Sequence, residues 1–262
     1  MIKMIATDMD GTFLDSEKRF DPEFIDIFYK LKEKDIKFVV ASGNQYYRLF
    51  QKFIPLSEQM YFIAENGSFI AKGATELYCN TINAADVEKI KKILITYNNL
   101  LVVLCGRKGA YILNRNRIYK DEIKKYYCNY RFVESFDNIN DDIMKVAVYD
   151  PDEKLDEALK EVKKQLPSNI KVVTSGNTWM DIQDKDTNKG VAMNFLQTLF
   201  EISPDECVAF GDQMNDYELL QQVKYSYAMA NAVDSIKDIA YGIADTNDEQ
   251  GVLRKIKEIL KI

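Results

Sequence analysis

The sequence predicts an α/β fold in which an α+β unit is inserted into a doubly wound parallel sheet. Short apolar runs alternate with amphipathic helical patterns near the start of the chain and again near residue 200. That order is typical of parallel strands joined by helices. Several of these runs stop at small polar residues, whereas the middle of the chain shows helices followed by paired strands.

The first domain begins with alternating strands and helices. Strands are predicted at "MIATD", "KFVVASGN" and "YFIAENG", separated by helices at Pro22–Lys34 and Tyr46–Phe53. A later helix, Gly190–Phe200, leads into the strand "CVAFGD". In such sheets ligands bind beyond the carboxyl ends of the strands, so we expect the polar residues at those ends to meet at one site. They are Asp8, Ser42, Asn66 and Asp212.

The middle of the chain follows a different pattern. Helices are predicted at Ala84–Tyr97, Lys120–Cys128 and Glu153–Leu166, and strands at "LLVVLCG", "AYILN", "IMKVAVYD", "IKVVTSG" and "WMDI". Helices followed by paired strands favour an α+β unit with an antiparallel sheet. We expect a discontinuous core domain, residues 1–82 and 183–262, that carries an inserted domain, residues 83–182.

The composition limits the class of protein. Hydrophobic residues make up 47% of the 262 residues, enough to bury a core, and the net charge of −6 argues against nucleic acid as the main partner. Four cysteines without a CxxC pair indicate reduced thiols. Acidic residues near the start argue against a signal peptide, and no apolar stretch approaches the ~20 residues of a membrane span. We expect a soluble, cytoplasmic protein with no membrane partner.

The chain contains no histidine. A Ser-His-Asp centre, a Cys-His centre and an imidazole-bound zinc site are therefore excluded. Acid–base chemistry must be carried out by Asp, Glu, Lys, Tyr or Cys. A bound metal would be a hard cation held by oxygen ligands.

The motif "DMDGT" places two carboxylates at the end of the first strand. Asp8 and Asp10 point to the same side of an extended backbone, and two unit charges about 5 Å apart repel by roughly 3 kcal/mol at an effective dielectric near 20. Capping or loop roles are the alternative interpretation. A cation bridging Asp8 and Asp212 would relieve the repulsion. Mg²⁺ is the natural candidate, and because it usually shares phosphate oxygens, we expect a phosphorylated substrate.

Three further motifs fit an anionic substrate. "GDQMNDYELL" places Asn215 and Asp216 at the start of a helix, where either could cap it as well as support a metal. "ASGN" offers Ser42 and backbone N–H groups to an anion, although it is also an ordinary turn. "DKDTNKGVAM" resembles half of a calcium loop, but Lys189 stands where that loop needs glycine. We therefore interpret Lys189 as a positive charge over a phosphate.

The inserted unit carries the only tryptophan, Trp179. A single tryptophan in a strand is usually a core residue. The polar turn beside it leaves a role in contacting the substrate open. We consider four residues of this unit as candidates for substrate selection: Arg107, Ser175, Asn177 and Trp179.

The motifs "DMDGT", "ASGN", "NKG" and "GDQMND", in this order, resemble the haloacid dehalogenase superfamily of phosphatases. Within it the chain looks like the Cof-like group, which inserts a large α/β cap into a Rossmann-like core. The stretch "KFVVASGNQYYRL", together with "AENG" and "TSG", is similar to bacterial sugar-phosphate phosphatases.

The resemblance implies a role for each motif. Asp8 would be the nucleophile and Asp10 the general acid and base, and Mg²⁺ would be bound by Asp8, the backbone carbonyl of Asp10, and Asp212. Asp216 would support these ligands, and Asn44 and Asn66 would face the substrate or the cap hinge. The residues implied to hold the phosphoryl group are Met9, Ser42, Gly43, Lys189 and Asn215. The cap would close over the site and select the sugar.

The predicted function is Mg²⁺-dependent hydrolysis of small phosphorylated metabolites, with sugar phosphates favoured, through an aspartyl-phosphate. Two alternatives remain open at this level. One is phosphotransferase or phosphomutase action on the same substrates. The other is a catalytically silent sugar-phosphate sensor, against which the intact Asp8 and Asp10 pair argues.

Overall fold

The computed structural model describes residues 1–152, 155–175 and 178–261. The chain divides into two compact units. The first unit consists of Met1–Leu77 and Asn188–Ile262, and the second of Tyr78–Thr187. The assignment of the second unit as a substrate-selecting cap stays a prediction.

The strands and helices are numbered in chain order. The strands are β1 (Met4–Thr7), β2 (Lys37–Ala41), β3 (Tyr61–Ala64), β4 (Phe69–Lys72), β5 (Thr75–Cys79), β6 (Leu101–Gly106), β7 (Gly109–Leu113), β8 (Tyr130–Val133), β9 (Ile143–Tyr149), β10 (Ile170–Ser175), β11 (Trp179–Asp184), β12 (Cys207–Gly211), β13 (Tyr225–Met229) and β14 (Gly242–Ala244). The helices are α1 (Phe24–Glu33), α2 (Tyr46–Lys52), α3 (Ala84–Leu94), α4 (Lys120–Tyr126), α5 (Leu155–Gln165), α6 (Lys189–Phe200), α7 (Tyr217–Gln221), α8 (Asp234–Lys237) and α9 (Gly251–Leu260).

The sheet of the first unit has the strand order β14-β13-β12-β1-β2-β3-β4-β5. The strands from β14 to β3 pair in parallel, and β4 runs antiparallel to β3. All four residues of β1 are buried. The three apolar residues Met4, Ile5 and Ala6 suit a parallel strand that is covered on both faces. The predicted α/β class, a doubly wound parallel core with an inserted α+β unit, is confirmed.

Aromatic side chains hold the segment after "DMDGT" against α1 and β2. Phe13 contacts Phe24 of α1 edge-on, with 4.9 Å between ring centroids, and Phe38 of β2 at 5.7 Å. Phe24 is also the first buried residue of an i, i+3, i+4, i+7 stripe along α1, and this stripe explains why the segment forms a helix on the sheet. The turn that follows β1 is thereby anchored in the core.

The second unit contains a six-stranded sheet in the order β10-β11-β9-β6-β7-β8. Its pairs are antiparallel except for β7 and β8, which are parallel. One apolar cluster includes Ile90 and Leu94 of α3 and Val162 of α5 together with residues of the sheet. A second cluster includes Ile123 of α4 and Trp179.

The sequence prediction missed several short elements. Strands β4, β5, β8, β13 and β14 and the helices α8 and α9 were not predicted, whereas α7 is the helix expected after "GDQMND". Three predicted helices are at least two residues shorter at one end than expected: α1 begins at Phe24 rather than Pro22, α3 ends at Leu94 rather than Tyr97, and α4 ends at Tyr126 rather than Cys128. None of the helices in the described part of the chain combines the length and apolar character that a membrane span needs.

Candidate active site

The carboxyl ends of three neighbouring strands meet at one edge of the first unit's sheet. β1 lies between β12 and β2, so Thr7 is in register with Phe210 and with Val40. Asp8, Asp212 and Ser42 follow these strands directly, and all three are buried. The backbone N–H of Asp8 continues the ladder by donating to the carbonyl of Phe210 (3.0 Å).

Three buried carboxylates form a compact cluster. Asp8, Asp212 and Asp216 each offer a carboxylate oxygen within 4.8 Å of the others. Lys189, at the first residue of α6, lies among them with its side chain fully buried. Its Nζ donates to Asp8 Oδ1 and to Asp216 Oδ1, each at 2.6 Å. The cluster therefore combines three acidic groups with one ammonium.

Burial and mutual repulsion shift the pKa values of these groups. The pKa of Asp8 is raised well above its usual value by burial and by the charges of Asp216 and Asp212, although Lys189 opposes the shift. Burial, with the charge of Asp216, raises the pKa of Asp212 to about 6. Burial alone would lower the pKa of Lys189, but the two contacting carboxylates raise it, so the ammonium stays charged. The site is thus short of positive charge.

The donor set fits a small divalent cation. Carboxylate oxygens are the ligands that Mg²⁺ takes in proteins, and one carboxylate oxygen of Asp212 is oriented by the Thr12 hydroxyl (2.7 Å). Gln213 Nε2 donates to the other (3.3 Å). The turn at Gly11 (φ 85°) also makes room for this group, because a Cβ there would lie 2.5 Å from Asp212 Oδ2. Asp8 and Asp212 are the carboxylates best placed to hold the ion.

Asp216 is already committed to other partners. One oxygen accepts Lys189, and the other accepts the backbone N–H groups of Asp212 (2.9 Å) and Gln213 (3.1 Å). It therefore shapes the turn that carries Asp212 and fixes the Lys189 ammonium. The sequence interpretation that one residue here could both cap and support the site fits these contacts. Asn215 lies half-buried in the same turn.

Asp10 lies outside the buried cluster. Its side chain is 42% exposed, and it pairs with Lys18 Nζ (2.8 Å) and accepts Asn44 Nδ2 (2.8 Å). Burial would raise the pKa of Asp10, but the hydrogen bond and charge of Lys18 and the hydrogen bond of Asn44 outweigh it, so the pKa is lowered.

Met9 can offer a ligand only its backbone N–H. Its carbonyl accepts three backbone N–H groups of the following turn, and its side chain is buried.

The loop after β2 is built by close backbone contacts. The Ser42 hydroxyl oxygen accepts the N–H of Asn44 (3.1 Å), and the Ser42 carbonyl accepts the N–H of Asn66 (3.1 Å). A Cβ on Gly43 would lie 2.5 Å from Asn66 Oδ1, so this approach requires glycine. Asn66 itself adopts a left-handed conformation with φ 57°. The Ser42 hydroxyl hydrogen can donate to an anion at the strand end.

The structure describes the candidates in the second unit only in part. Asn177 lies outside the described residues, and Ser175 is the last residue of β10. Trp179 is 8% exposed and packs against Tyr126 and Tyr149, each with 5.1 Å between ring centroids. Trp179 is thus part of an apolar cluster, and its contact with a substrate stays a prediction. Arg107 lies in the β6–β7 turn, where its guanidinium is 3.7 Å from Asp142.

Three residues of this site escaped the sequence prediction: Thr12, Gln213 and Lys18. Thr12 and Gln213 stand inside the "DMDGT" and "GDQMND" motifs, so their position next to an acidic residue was the available signal. Lys18 offered none, since a lysine in a charged loop is most often solvated.

Comparison with known proteins places these motifs in a family. Residues 5–256 match the haloacid dehalogenase-like hydrolases. One relative, 33% identical over 265 residues, is the 5-amino-6-(5-phospho-D-ribitylamino)uracil phosphatase YbjI of Escherichia coli, with 99% of this chain and 97% of that protein covered. A Bacillus subtilis phosphatase of the same description, YcsE, is 24% identical over 260 residues and covers 98% and 95% of the two chains.

The fold agrees with these sequence matches. A crystal structure of a Streptococcus mutans protein superimposes with a TM-score of 0.90 at 34% identity and covers the whole of both chains. A haloacid dehalogenase-like hydrolase from Bacillus subtilis, 23% identical, superimposes with a TM-score of 0.86 over 98% of this chain and 100% of that one. The chain therefore belongs to the haloacid dehalogenase-like hydrolases, the family that the order of its four motifs predicts.

Proposed function

We propose that this protein is an Mg²⁺-dependent phosphatase that hydrolyses small phosphorylated metabolites, sugar phosphates in particular, through an aspartyl-phosphate on Asp8. One observation carries the proposal: Asp8 is buried beside Asp212 and Asp216, with the ammonium of Lys189 on one of its oxygens. Burial raises the pKa of Asp8, so the ionised carboxylate that a nucleophile needs would depend on the ammonium of Lys189 and on a bound cation.

In the first step an oxygen of Asp8 attacks phosphorus, and the bond from phosphorus to the leaving oxygen breaks. Asp10 gives its proton to that oxygen. In the second step Asp10 takes a proton from water, whose oxygen attacks phosphorus and restores the Asp8 carboxylate as inorganic phosphate leaves. Asn44 and Lys18 hold Asp10 in its ionised form in the structure. We therefore expect the contact with Lys18 to open when Asp10 acts as an acid.

The remaining residues stabilise charge and position the phosphoryl group. Lys189 would supply a positive charge in a buried site, where electrostatic stabilisation is strong. The Ser42 hydroxyl and the backbone of Gly43 would donate to phosphoryl oxygens, and Asn215 would complete this set. A bound Mg²⁺, held by Asp8, Asp212 and the Asp10 carbonyl, would neutralise further negative charge on the phosphoryl group.

The names of the relatives indicate which compounds to assay first as substrates. Both phosphatases named above act, by their names, on 5-amino-6-(5-phospho-D-ribitylamino)uracil. This compound carries a phosphate on a sugar-derived chain, so it belongs with the sugar phosphates in the first substrate panel. The second unit is proposed to select among such substrates.

The test is a panel of phosphorylated metabolites assayed for phosphate release with Mg²⁺ and with EDTA, using the wild type and Asp8→Asn. Release in Mg²⁺ that EDTA and Asp8→Asn both abolish supports the proposal. Release at the wild-type rate by Asp8→Asn would show that the nucleophile is wrongly assigned. Adding unlabelled sugar acceptors while following labelled phosphate separates hydrolysis from phosphotransfer.

A further inference from the structure

A cavity of about 580 Å³ in the first unit is lined by four cationic side chains. It lies between the segment that follows "DMDGT" and helix α2. Its lining residues are Lys18, Arg19, Phe20, Arg48, Gln51 and Lys52. The cavity adjoins the site described above through Lys18, whose Nζ is 2.8 Å from Asp10 Oδ1.

Two of these cations have a carboxylate partner. Lys18 pairs with Asp10, and the Arg19 guanidinium is 2.6 Å from Glu17 and 3.2 Å from Asp15. These pairs explain the presence of two positive charges at the rim. They do not explain the presence of the other two cations, Arg48 and Lys52.

The remaining pair, Arg48 and Lys52, lines the cavity without an ion-pair contact to a carboxylate in the described residues, although Asp10 acts on both charges from a distance and Asp15 acts on Lys52. Within residues 1–152, 155–175 and 178–261, the Arg48 guanidinium makes no hydrogen bond or ion pair, and it is half-buried. Lys52 Nζ donates to the backbone carbonyl of Lys18 (2.7 Å). The two residues are four apart on α2, where like charges repel each other.

Burial and the charge of Arg48 lower the pKa of the Lys52 ammonium, and the charges of Asp10 and Asp15 oppose this shift. The two acidic side chains that act on Lys52, Asp10 and Asp15, contact Lys18 and Arg19 instead, although the protein has a net charge of −6. An anion supplied from outside would satisfy both cations, because a guanidinium binds phosphate or carboxylate through two parallel hydrogen bonds.

We propose that this cavity binds a second anionic group of the substrate, in addition to the phosphoryl group that Asp8 attacks. The inference rests on the proposed function, because it adds a feature to the substrate of that site. The contact between Lys18 and Asp10 places the cavity on the side of the leaving group. The preferred substrates are then small metabolites with two anionic groups, such as sugar bisphosphates or phosphorylated sugar acids.

Measurements of ligand binding at equilibrium test this proposal in a variant that does not turn the ligand over. In the Asp8→Asn background with Mg²⁺, the dissociation constants of glucose 6-phosphate and glucose 1,6-bisphosphate are compared by calorimetry, as are those of fructose 6-phosphate and fructose 1,6-bisphosphate. We expect the bisphosphate to bind about tenfold more tightly in at least one pair. Adding Arg48→Gln and Lys52→Gln should reduce that preference to within about twofold.

A matched control removes two charges elsewhere in the same unit. Lys30→Gln with Lys34→Gln changes the net charge equally, but both residues are exposed at the end of α1 and neither lines the cavity. The bisphosphate preference should survive in this control. Circular dichroism confirms that all variants are folded.

Three results would overturn the inference. The bisphosphate binds no more tightly in either pair, the control loses the preference as fully as the cavity variant, or inorganic phosphate binds twice per chain with one site lost in the cavity variant. The last result would assign the cavity to a free anion. Failure of the proposed function is separate, since it is read from phosphate release by the wild type.

Discussion

Replacing Lys189 by methionine tests whether the buried ammonium holds the carboxylate cluster together. Its Nζ lies 2.6 Å from an oxygen of Asp8 and 2.6 Å from an oxygen of Asp216. Each such pair attracts by about 6 kcal/mol at an effective dielectric of 20, and the desolvation of the lysine offsets much of this. Removing one partner of a buried ion pair costs about 3–5 kcal/mol. We expect the Lys189→Met variant to lose stability by that amount at neutral pH in EDTA.

The loss should depend on pH in a defined direction. The pKa of Asp8 is already raised by burial, and Lys189 is the group that opposes the shift. Without Lys189 the folded-state pKa moves further above the unfolded value, so the penalty is present at neutral pH and fades as the pH falls through the folded-state pKa. Mg²⁺ should also restore part of the stability, because it binds the folded state and not the unfolded one.

Thermal unfolding followed by circular dichroism at pH 5 and pH 7.5, with Mg²⁺ and with EDTA, measures these effects. A loss of 3–5 kcal/mol corresponds to a fall in Tm of roughly 6–20 °C at neutral pH for a chain of this size. Lys3→Met is the matched control, because it removes an exposed 2.8 Å pair with Glu206 and should cost no more than about 1 kcal/mol. Equal losses in the two variants, or a loss in Lys189→Met that neither acid nor Mg²⁺ reduces, would refute the reasoning.

Three further predictions concern the reaction and the metal. Asp10→Asn should slow hydrolysis of a sugar phosphate far more than that of p-nitrophenyl phosphate, whose leaving group needs little protonation; steady-state rates that fall equally would count against Asp10 as the acid. Burial raises the pKa of Asp212 to about 6 and also raises that of Asp8, and only ionised carboxylates bind metal. Mg²⁺ affinity measured by calorimetry should therefore fall at least about tenfold per pH unit below 6. An affinity that does not change between pH 5 and 7 would contradict this. Thr12→Val removes the 2.7 Å hydrogen bond to Asp212 and should weaken Mg²⁺ binding about tenfold, with little change in Tm; unchanged Mg²⁺ affinity would make that contact dispensable.

The residues at the strand ends show which part of the candidate site can be predicted from the sequence. An apolar run followed by a polar residue is a local pattern, and parallel strands bring their carboxyl ends to one edge of the sheet. Asp8, Ser42 and Asp212 could therefore be placed together before any coordinates were known. Strands β13 and β14 could not, since serine interrupts the apolar residues of "YSYAM" and "GIA" has only three residues.

The amino-acid sequence by itself determined the α/β class, the four motifs and the absence of imidazole chemistry, because each is a property of residue type and local order. The tertiary structure decided which charges meet. Lys189 lies 181 residues from Asp8 and 27 from Asp216, and only the packing of α6 against the turn after β12 unites the three. The same holds for Lys18 beside Asp10 and for the two cations of α2 that line the cavity. Whether two charged side chains interact depends on the distance between them and on their burial, and neither can be read from the order of residues.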